Sequence, residues 1–239
     1  GDYLPIEHTS MGRTIIQFDK DDLDYIGSPK FDFLGLGALA LVRRAFDSIE
    51  TRSGRRLELY ELPQNDAPTF DMISSGETVG TFQIESRAQI ASILNTRPQT
   101  MYDIVVQISL IRPGPIQGEF VHPYTRRRRG LEMPGYAHPA LEPILRRTYG
   151  IPIFQEQAMA ISSVLGGFTP PEADRLRRTM GNIRKKTRLE TVLAELTERM
   201  VSNPVPDPPV SREVAEQISR DLSTFANYGF PESHAWSFA

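Results

Sequence analysis

The residue pair with the clearest potential for chemistry is Lys30 and Asp32, which lie two positions apart in the apolar run 30–36. Alternate residues of a β-strand point to the same face, so this spacing predicts an ammonium and a carboxylate side by side, with Phe31 and Phe33 directed into a core. A buried carboxylate is costly unless it is paired or binds a cation. The pattern therefore fits either a structural ion pair or a carboxylate that binds a metal ion next to a phosphate.

The basic residues are concentrated in particular segments although the net charge is only −3. Of the 27 basic residues, 23 are Arg, whose planar guanidinium suits phosphate, although a GC-rich genome produces the same bias. Seven basic residues and no acidic one lie between Arg175 and Arg188, and residues 126–129 are all Arg. This distribution predicts a phosphate-handling surface. It equally fits a DNA-binding module without catalysis or a scaffold domain with a solvated basic face.

Several classes of protein are excluded by what the sequence lacks. The absence of Cys excludes disulfide scaffolds, thiolate zinc sites and a Cys nucleophile. The chain contains no Walker loop, no dinucleotide-binding GxGxxG, no HExxH and no nucleophile elbow, and its four His residues are scattered. It has no run of eighteen apolar residues and neither an initiator Met nor a signal-peptide pattern. We therefore expect a cytoplasmic fragment of a longer gene product.

Hydrophobic periodicity and capping signals predict an α+β fold that is mainly helical. A change in composition near Gly37 divides a strand-bearing part from a helical part. Capping boxes are predicted where Ser86, Thr100 and Thr169 begin helices. Helices are predicted at residues 38–50, 70–74, 86–94, 101–111, 155–165, 187–201 and 211–225 and after Thr169, strands at 13–18, 78–84 and 151–154, and a solvated acidic turn at 19–22.

Six motifs, in order, resemble those of the C-family bacterial DNA polymerases, which are the DNA polymerase III alpha subunits and their error-prone paralogues. The motifs are residues 30–36, 80–86, 112–115, 149–157, 176–181 and 228–234. Residues 84–89, 115–118 and 230–234 are more similar to the error-prone, damage-tolerant branch, because the replicative subunit usually has a Lys where Glu232 stands. The resemblance implies the C-terminal part of a palm at residues 1–37 and a fingers domain at residues 38–239.

The resemblance also implies roles for individual residues. Asp32 matches the third of three palm carboxylates that bind two magnesium ions, and Lys30 matches a lysine near the incoming triphosphate. Arg177 and Arg178 match paired arginines that contact the phosphates. Residues that match the lining of the nucleotide pocket are Tyr228 and His234. Contacts with DNA are expected, less specifically, from the basic residues Arg112, Arg126, Arg127, Arg128, Arg184, Lys185 and Lys186, although Arg112 also fits a partner for a helix C-terminus.

The function implied by the resemblance is template-dependent nucleotidyl transfer to a primer 3′-hydroxyl, with error-prone synthesis across damage during DNA repair and replication. The implied partners are primer–template DNA, deoxynucleoside triphosphates, a sliding clamp and accessory proteins, close to the nucleoid and without a membrane. The family's other two catalytic carboxylates have no counterpart before Asp32, so we expect the isolated chain to be inactive in primer extension. The alternative is a catalytically silent nucleic-acid-binding or interaction module derived from such a polymerase.

Overall fold

The computed structural model describes residues 4–28, 37–111, 118–180, 186–226 and 229–239. These residues form helices and one two-stranded sheet, which confirms the predicted mainly helical α+β class. The chain divides into two compact units, residues 1–61 and residues 62–239. No helix in the described ranges combines the length and the apolar character needed to cross a membrane.

The first unit contains the sheet and two helices. Strands β1 (Ile6–His8) and β2 (Thr14–Ile16) pair antiparallel, with Ile6 opposite Ile16. Helix α1 (Lys20–Tyr25) replaces the predicted acidic turn, because Asp22 donates its backbone N–H to Asp19 Oδ1 at 2.9 Å and Asp19 donates its own to Asp22 Oδ2 at 3.1 Å. This reciprocal capping starts a helix at a position where the acidic composition predicted only a solvent-exposed turn. Helix α2 (Gly37–Ser53) and a 3₁₀ turn (Leu59–Glu61) follow.

The second unit is built from ten helices of the described ranges and two 3₁₀ turns, Pro139–Leu141 and Arg146–Thr148. The helices are α3 (Ala67–Ser74), α4 (Arg87–Thr96), α5 (Met101–Leu110), α6 (Gly118–Arg128), α7 (Glu142–Leu145), α8 (Gln155–Gly166), α9 (Pro170–Thr179), α10 (Lys186–Ser202), α11 (Arg212–Ala226) and α12 (Glu232–Phe238).

Capping side chains start these helices largely where the sequence predicts. Thr100 and Asp103 form a complete box at α5, with Asp103 N–H donating to Thr100 Oγ1 at 3.3 Å and Thr100 N–H donating to Asp103 Oδ2 at 2.9 Å. The box predicted at Ser86 is only half formed. Gln89 donates its backbone N–H to Ser86 Oγ, but its side chain instead donates to the Ile111 carbonyl at 3.0 Å inside the core.

The strand predicted at residues 78–84 is wrong, because the segment folds into a closed turn. Gly80 and Gln83 have φ of +82° and +66°, which reverses the direction of the chain. Thr78 Oγ1 also donates to the Ile84 carbonyl at 2.7 Å, across the loop. The strand predicted at residues 151–154 is reduced to a single parallel bridge between Phe154 and Phe230.

Two hydrophobic cores organise the second unit. The first core joins α8, α9, α10 and α11 through fully buried Leu165, Leu176, Leu196 and Leu222. The second core joins α3, α4, α5 and α12, with Phe154 fully buried. The chain passes from the first core to the second after α11, where Gln155 N–H donates to the Phe230 carbonyl at 3.0 Å.

Gly150, in the loop before α8, packs closely against Gly135 in the loop after α6. It has φ of +81°, and a Cβ added there lies 2.5 Å from the Gly135 carbonyl oxygen. We expect Gly150→Ala to lower the free energy of unfolding by about 2 to 3 kcal/mol, from overpacking and left-handed strain together. Urea unfolding of the chain measures this loss.

Gly130→Ala is the matched control, because Gly130 has φ of +69° and no atom within 4 Å of an added Cβ. It retains the backbone strain and lacks the steric overlap, so its expected loss is about 1 kcal/mol. Equal losses in the two variants would show that the approach to Gly135 is not tight.

Candidate nucleotide-binding surface

Helix α9 has the strongest start signal in the chain, and the structure confirms it. Thr169 N–H and Oγ1 both donate to Glu172 Oε2, at 2.7 and 2.8 Å, and Pro170 follows at the first helical position. Arg199 of α10 donates to the other Glu172 oxygen at 2.7 Å. The backbone N–H of Thr169, the Arg199 guanidinium and the Thr169 hydroxyl lower the pKa of Glu172 to about 2. The carboxylate therefore stays ionised at neutral pH and fixes α9 against α10.

The two faces of α9 have different surroundings. Ala173 and Leu176 are buried in the first core, with Leu176 fully buried, and Thr179 is also buried. The arginine side chains at positions 177 and 178 are 40% and 73% exposed, so they are accessible to a ligand. The helical period thus places the apolar residues inward and the arginines at the surface near the C-terminal end of α9.

One carboxylate holds both arginines. Arg177 Nε donates to Asp174 Oδ1 at 2.8 Å, and Arg178 Nε donates to Asp174 Oδ2 at 2.7 Å. The hydrogen bond from Arg177, and then that from Arg178, lowers the pKa of Asp174. Such exposed ion pairs add little to stability. Their effect here is to orient two guanidinium groups side by side.

This arrangement can bind phosphate. A guanidinium has five N–H donors, and each arginine uses only part of its set on Asp174. Two positive charges against one negative charge leave a net positive surface. A single guanidinium can bind two oxygens of a phosphate through two parallel hydrogen bonds.

Helix α12 carries His234 in a cluster of aromatic rings. The His234 ring lies 5.2 Å from Phe230 and 4.5 Å from Phe238, measured between centroids. The helix contacts the second core through Trp236, whose ring centroid lies 6.0 Å from that of Tyr102, and through Glu232, which lies 3.6 Å from Arg147. The Arg147 guanidinium carbon in turn lies 3.6 Å from the centroid of the Tyr102 ring. Burial, followed by the negative charge of Glu232, raises the pKa of Tyr102.

The structure brings together only some of the predicted site residues. Arg177 and Arg178 share Asp174, whereas His234 lies on a helix of the other core. Lys186 begins α10, but its side chain lies outside the described structure. The remaining predicted positions that fall outside the described residues are Lys30, Asp32, Arg112, Arg184, Lys185 and Tyr228. Within the described ranges, no group of three or more acidic or histidine side chains could hold a metal ion.

The basic run 126–129 lies at the C-terminal end of α6, and most of its contacts are with other parts of the chain. Arg127 Nε donates to Glu132 Oε1 and its Nη1 donates to the Tyr149 carbonyl, both at 2.9 Å. Arg128 pairs with Asp103 and caps the carbonyls at the end of α4. The structure therefore engages Arg127 and Arg128 internally, instead of presenting them at the surface as the run predicted. Arg126 is 63% exposed and pairs with Glu132 at 3.2 Å.

Sequence reasoning missed the acidic residues that orient these cations. Asp174 precedes Arg177 and Arg178 by three and four residues, the spacing at which helical side chains meet, so the pattern could have identified it. Arg147 and Glu232 are 85 positions apart, and no local signal indicates their contact.

Comparison with known proteins identifies the class. Residues 38–204 match the family model for the bacterial DNA polymerase III alpha subunit finger domain. This match covers most of the chain, which belongs to that family.

Individual relatives are similar over nearly the whole chain. Proteins named error-prone DNA polymerase from Alkalilimnicola ehrlichii and Pseudomonas fluorescens are 49% and 48% identical over 237 residues, 99% of this chain. The protein of the same name from Cutibacterium acnes is 46% identical over 240 residues. The resemblance to the error-prone branch is therefore confirmed. The chain spans 23% of the length of the first two relatives and 21% of the third.

Proposed function

We infer that this chain is part of a DNA-directed DNA polymerase that adds deoxynucleotides to a primer 3′-hydroxyl under the direction of a template strand. Residues 1–37 are proposed as the end of the palm and residues 38–239 as the fingers. The observation that carries this proposal is the match of residues 38–204 to the finger-domain family, with relatives of the same name along the whole chain.

The proposed role of α9 is to neutralise charge on the incoming triphosphate. Arg177 and Arg178 donate hydrogen bonds to its phosphate oxygens, and Asp174 keeps both guanidinium groups oriented before the nucleotide binds. Charge develops on the leaving pyrophosphate in the transition state, so preorganised cations lower the barrier. Lys30 is proposed near the same triphosphate, and Tyr228 and His234 at the nucleotide pocket.

Divalent metal use is proposed from the family, with Mg²⁺ as the ion and Asp32 as one ligand. Asp32 would help to hold such an ion, which would supply activation of the 3′-hydroxyl and stabilisation of the phosphate charge. The described residues offer no acidic cluster for such an ion. The phosphate-binding role proposed above for α9 depends on Arg177 and Arg178 and not on a bound metal ion.

The biological role is proposed as error-prone synthesis across damaged DNA in repair and replication. The relatives' printed name supports this branch. Primer–template DNA and deoxynucleoside triphosphates are the proposed substrates, and a sliding clamp and accessory repair or replication proteins are the proposed partners. A bacterial DNA substrate implies a cytoplasmic location at the nucleoid.

Primer extension by the full-length protein that contains this chain tests the proposal. We expect template-directed extension on undamaged DNA and continued extension past an abasic site in the template. Asp32→Asn in the same protein is the control, and it should abolish both activities, which excludes a contaminating polymerase. Failure to extend undamaged DNA would overturn the polymerase function, whereas extension that always stops at the lesion would overturn only the damage-tolerant role.

A further inference from the structure

A cleft of about 680 Å³ lies between α9 and the first half of α10. Three arginines line it, Arg175 and Arg178 from α9 and Arg188 from α10. Arg177 does not line it, although Arg177 shares Asp174 with Arg178. The cleft is therefore a neighbour of the proposed triphosphate contact, with Arg178 between the two.

The charges around the cleft favour an anion. Three guanidinium groups and the Asp174 carboxylate line the cleft, and Glu195 beside Arg175 is a second carboxylate, so positive charge exceeds negative charge by one. Arg175 Nη2 donates to Glu195 Oε2 at 2.6 Å, and Arg178 Nε donates to Asp174 at 2.7 Å, so each keeps further N–H donors for a ligand. Arg188 is exposed and makes no ion pair or hydrogen bond through its side chain within the part of the chain that the structure describes.

The volume of the cleft and its apolar lining residues indicate a ligand larger than a single inorganic ion. Pro171, at the start of α9, and Val192, which is 5% exposed, contribute apolar surface between the arginines. A volume of 680 Å³ is within the range of sites that hold a molecule of nucleotide size. A sugar can therefore pack against Pro171 and Val192 while its phosphate contacts the arginines.

We propose that Arg175, Arg178 and Arg188 form a phosphate-binding cleft that takes the sugar–phosphate unit of a nucleic-acid strand or of a free nucleotide. The inference deepens the proposed polymerase function and rests on it for its biological meaning. Arg178 then serves two sites from one position, because Asp174 holds its Nε edge and leaves its terminal nitrogens free to reach either one.

Arg188→Ala in the full-length protein is the sharpest test, since the Arg188 side chain makes no hydrogen bond or ion pair inside the described structure and we expect its loss to leave the fold intact. Fluorescence anisotropy measures binding of a labelled single-stranded oligonucleotide, and equilibrium dialysis measures binding of dATP. For a strand ligand we expect about tenfold weaker oligonucleotide binding at about 0.1 M salt, and a salt dependence shallower by about 0.7. If the ligand is a free nucleotide, we expect instead about tenfold weaker binding of dATP. Arg188→Lys should recover part of the affinity.

Arg220→Ala is the matched control, because Arg220 is an exposed arginine of α11 away from the cleft, with 63% of its side chain accessible. If Arg188→Ala and Arg175→Ala bind both ligands as tightly as Arg220→Ala does, the cleft is not a phosphate site. If binding is unchanged in this way and the unmodified protein still carries out templated synthesis, only the proposed phosphate cleft is overturned. If the cleft variants bind more weakly but the unmodified protein shows no templated synthesis, the phosphate cleft is supported and the polymerase function is overturned.

Discussion

Replacing Arg128 with Met should lower the free energy of unfolding by about 3 to 5 kcal/mol, because it leaves a buried carboxylate without its cation. The side chains of Arg128 and Asp103 are only 12% and 14% exposed. The guanidinium also donates to the carbonyls of Thr96 and Arg97 at the end of α4. One side chain thus connects the end of α4, the start of α5 and the end of α6. Urea unfolding of the chain measures the loss.

Arg126→Met is the control for this substitution, since it removes the same charge from the same helix end. Arg126 is 63% exposed, and its partner Glu132 keeps a second cation in Arg127. We expect a change within about 0.5 kcal/mol. Similar losses in the two variants would mean that the Asp103 pair is as solvated as a surface pair, which would contradict the structure.

The same pair predicts a pH dependence. Burial raises the pKa of Asp103, but hydrogen bonds from the Arg128 side chain, the Gln99 backbone and the Thr100 side chain, together with the positive charge of Arg128, outweigh burial, and the net shift is downward from 3.8. A carboxyl whose pKa is lower in the folded state stabilises the fold above its unfolded pKa and loses that contribution as the pH falls through the folded pKa. The difference in the free energy of unfolding between the parent chain and Arg128→Met should therefore become smaller as the pH falls below 3.8. A difference that stays constant would contradict this assignment.

Arg177→Ala and Arg178→Ala, each made in the full-length protein, should lower the catalytic efficiency of nucleotide incorporation by about 10²- to 10³-fold. This expectation rests on the proposed function. The loss should fall mainly on the maximal incorporation rate, because the charge that the guanidinium groups neutralise develops in the transition state. Rapid-quench incorporation of a single nucleotide separates that rate from nucleotide affinity.

Stability distinguishes a catalytic role of these arginines from a structural one. Both pairs with Asp174 are open to solvent on at least one side, with the Arg177 and Arg178 side chains 40% and 73% exposed, so either substitution should change the free energy of unfolding by less than about 1 kcal/mol. Arg220→Ala should incorporate nucleotides at the parent rate. A large loss of stability in Arg177→Ala, matched to its loss of activity, would assign that arginine to the fold instead.

The helices were predictable where the signal is local. The box at Thr169 and the periodic apolar residues of α9 depend on neighbours within one or two turns, so sequence alone identified that helix. Distant contacts overrode local signals elsewhere. Gln89 matches a capping box, yet Gln107 of α5 donates to its side chain at 2.8 Å, and burying that pair draws Gln89 away from the helix end.

The candidate site was predictable by residue type and only partly by arrangement. The motif at residues 176–181 indicated Arg177 and Arg178, and both lie at the surface. The arginine run 126–129 looked like one surface, but Asp103 and the Tyr149 carbonyl, each more than twenty positions away, engage two of its members. Such pairings depend on tertiary packing, which spacing along the chain does not encode.

The most direct test of the central claim is single-nucleotide incorporation by the full-length protein with each of the four deoxynucleotides offered alone. We predict that the unmodified protein and Arg220→Ala add only the nucleotide complementary to the template. The Arg177→Ala, Arg178→Ala double variant should bind primer–template DNA comparably and add that nucleotide at least about 10²-fold more slowly. Incorporation by the double variant at the parent rate, or addition by the unmodified protein that ignores the template, would contradict the account.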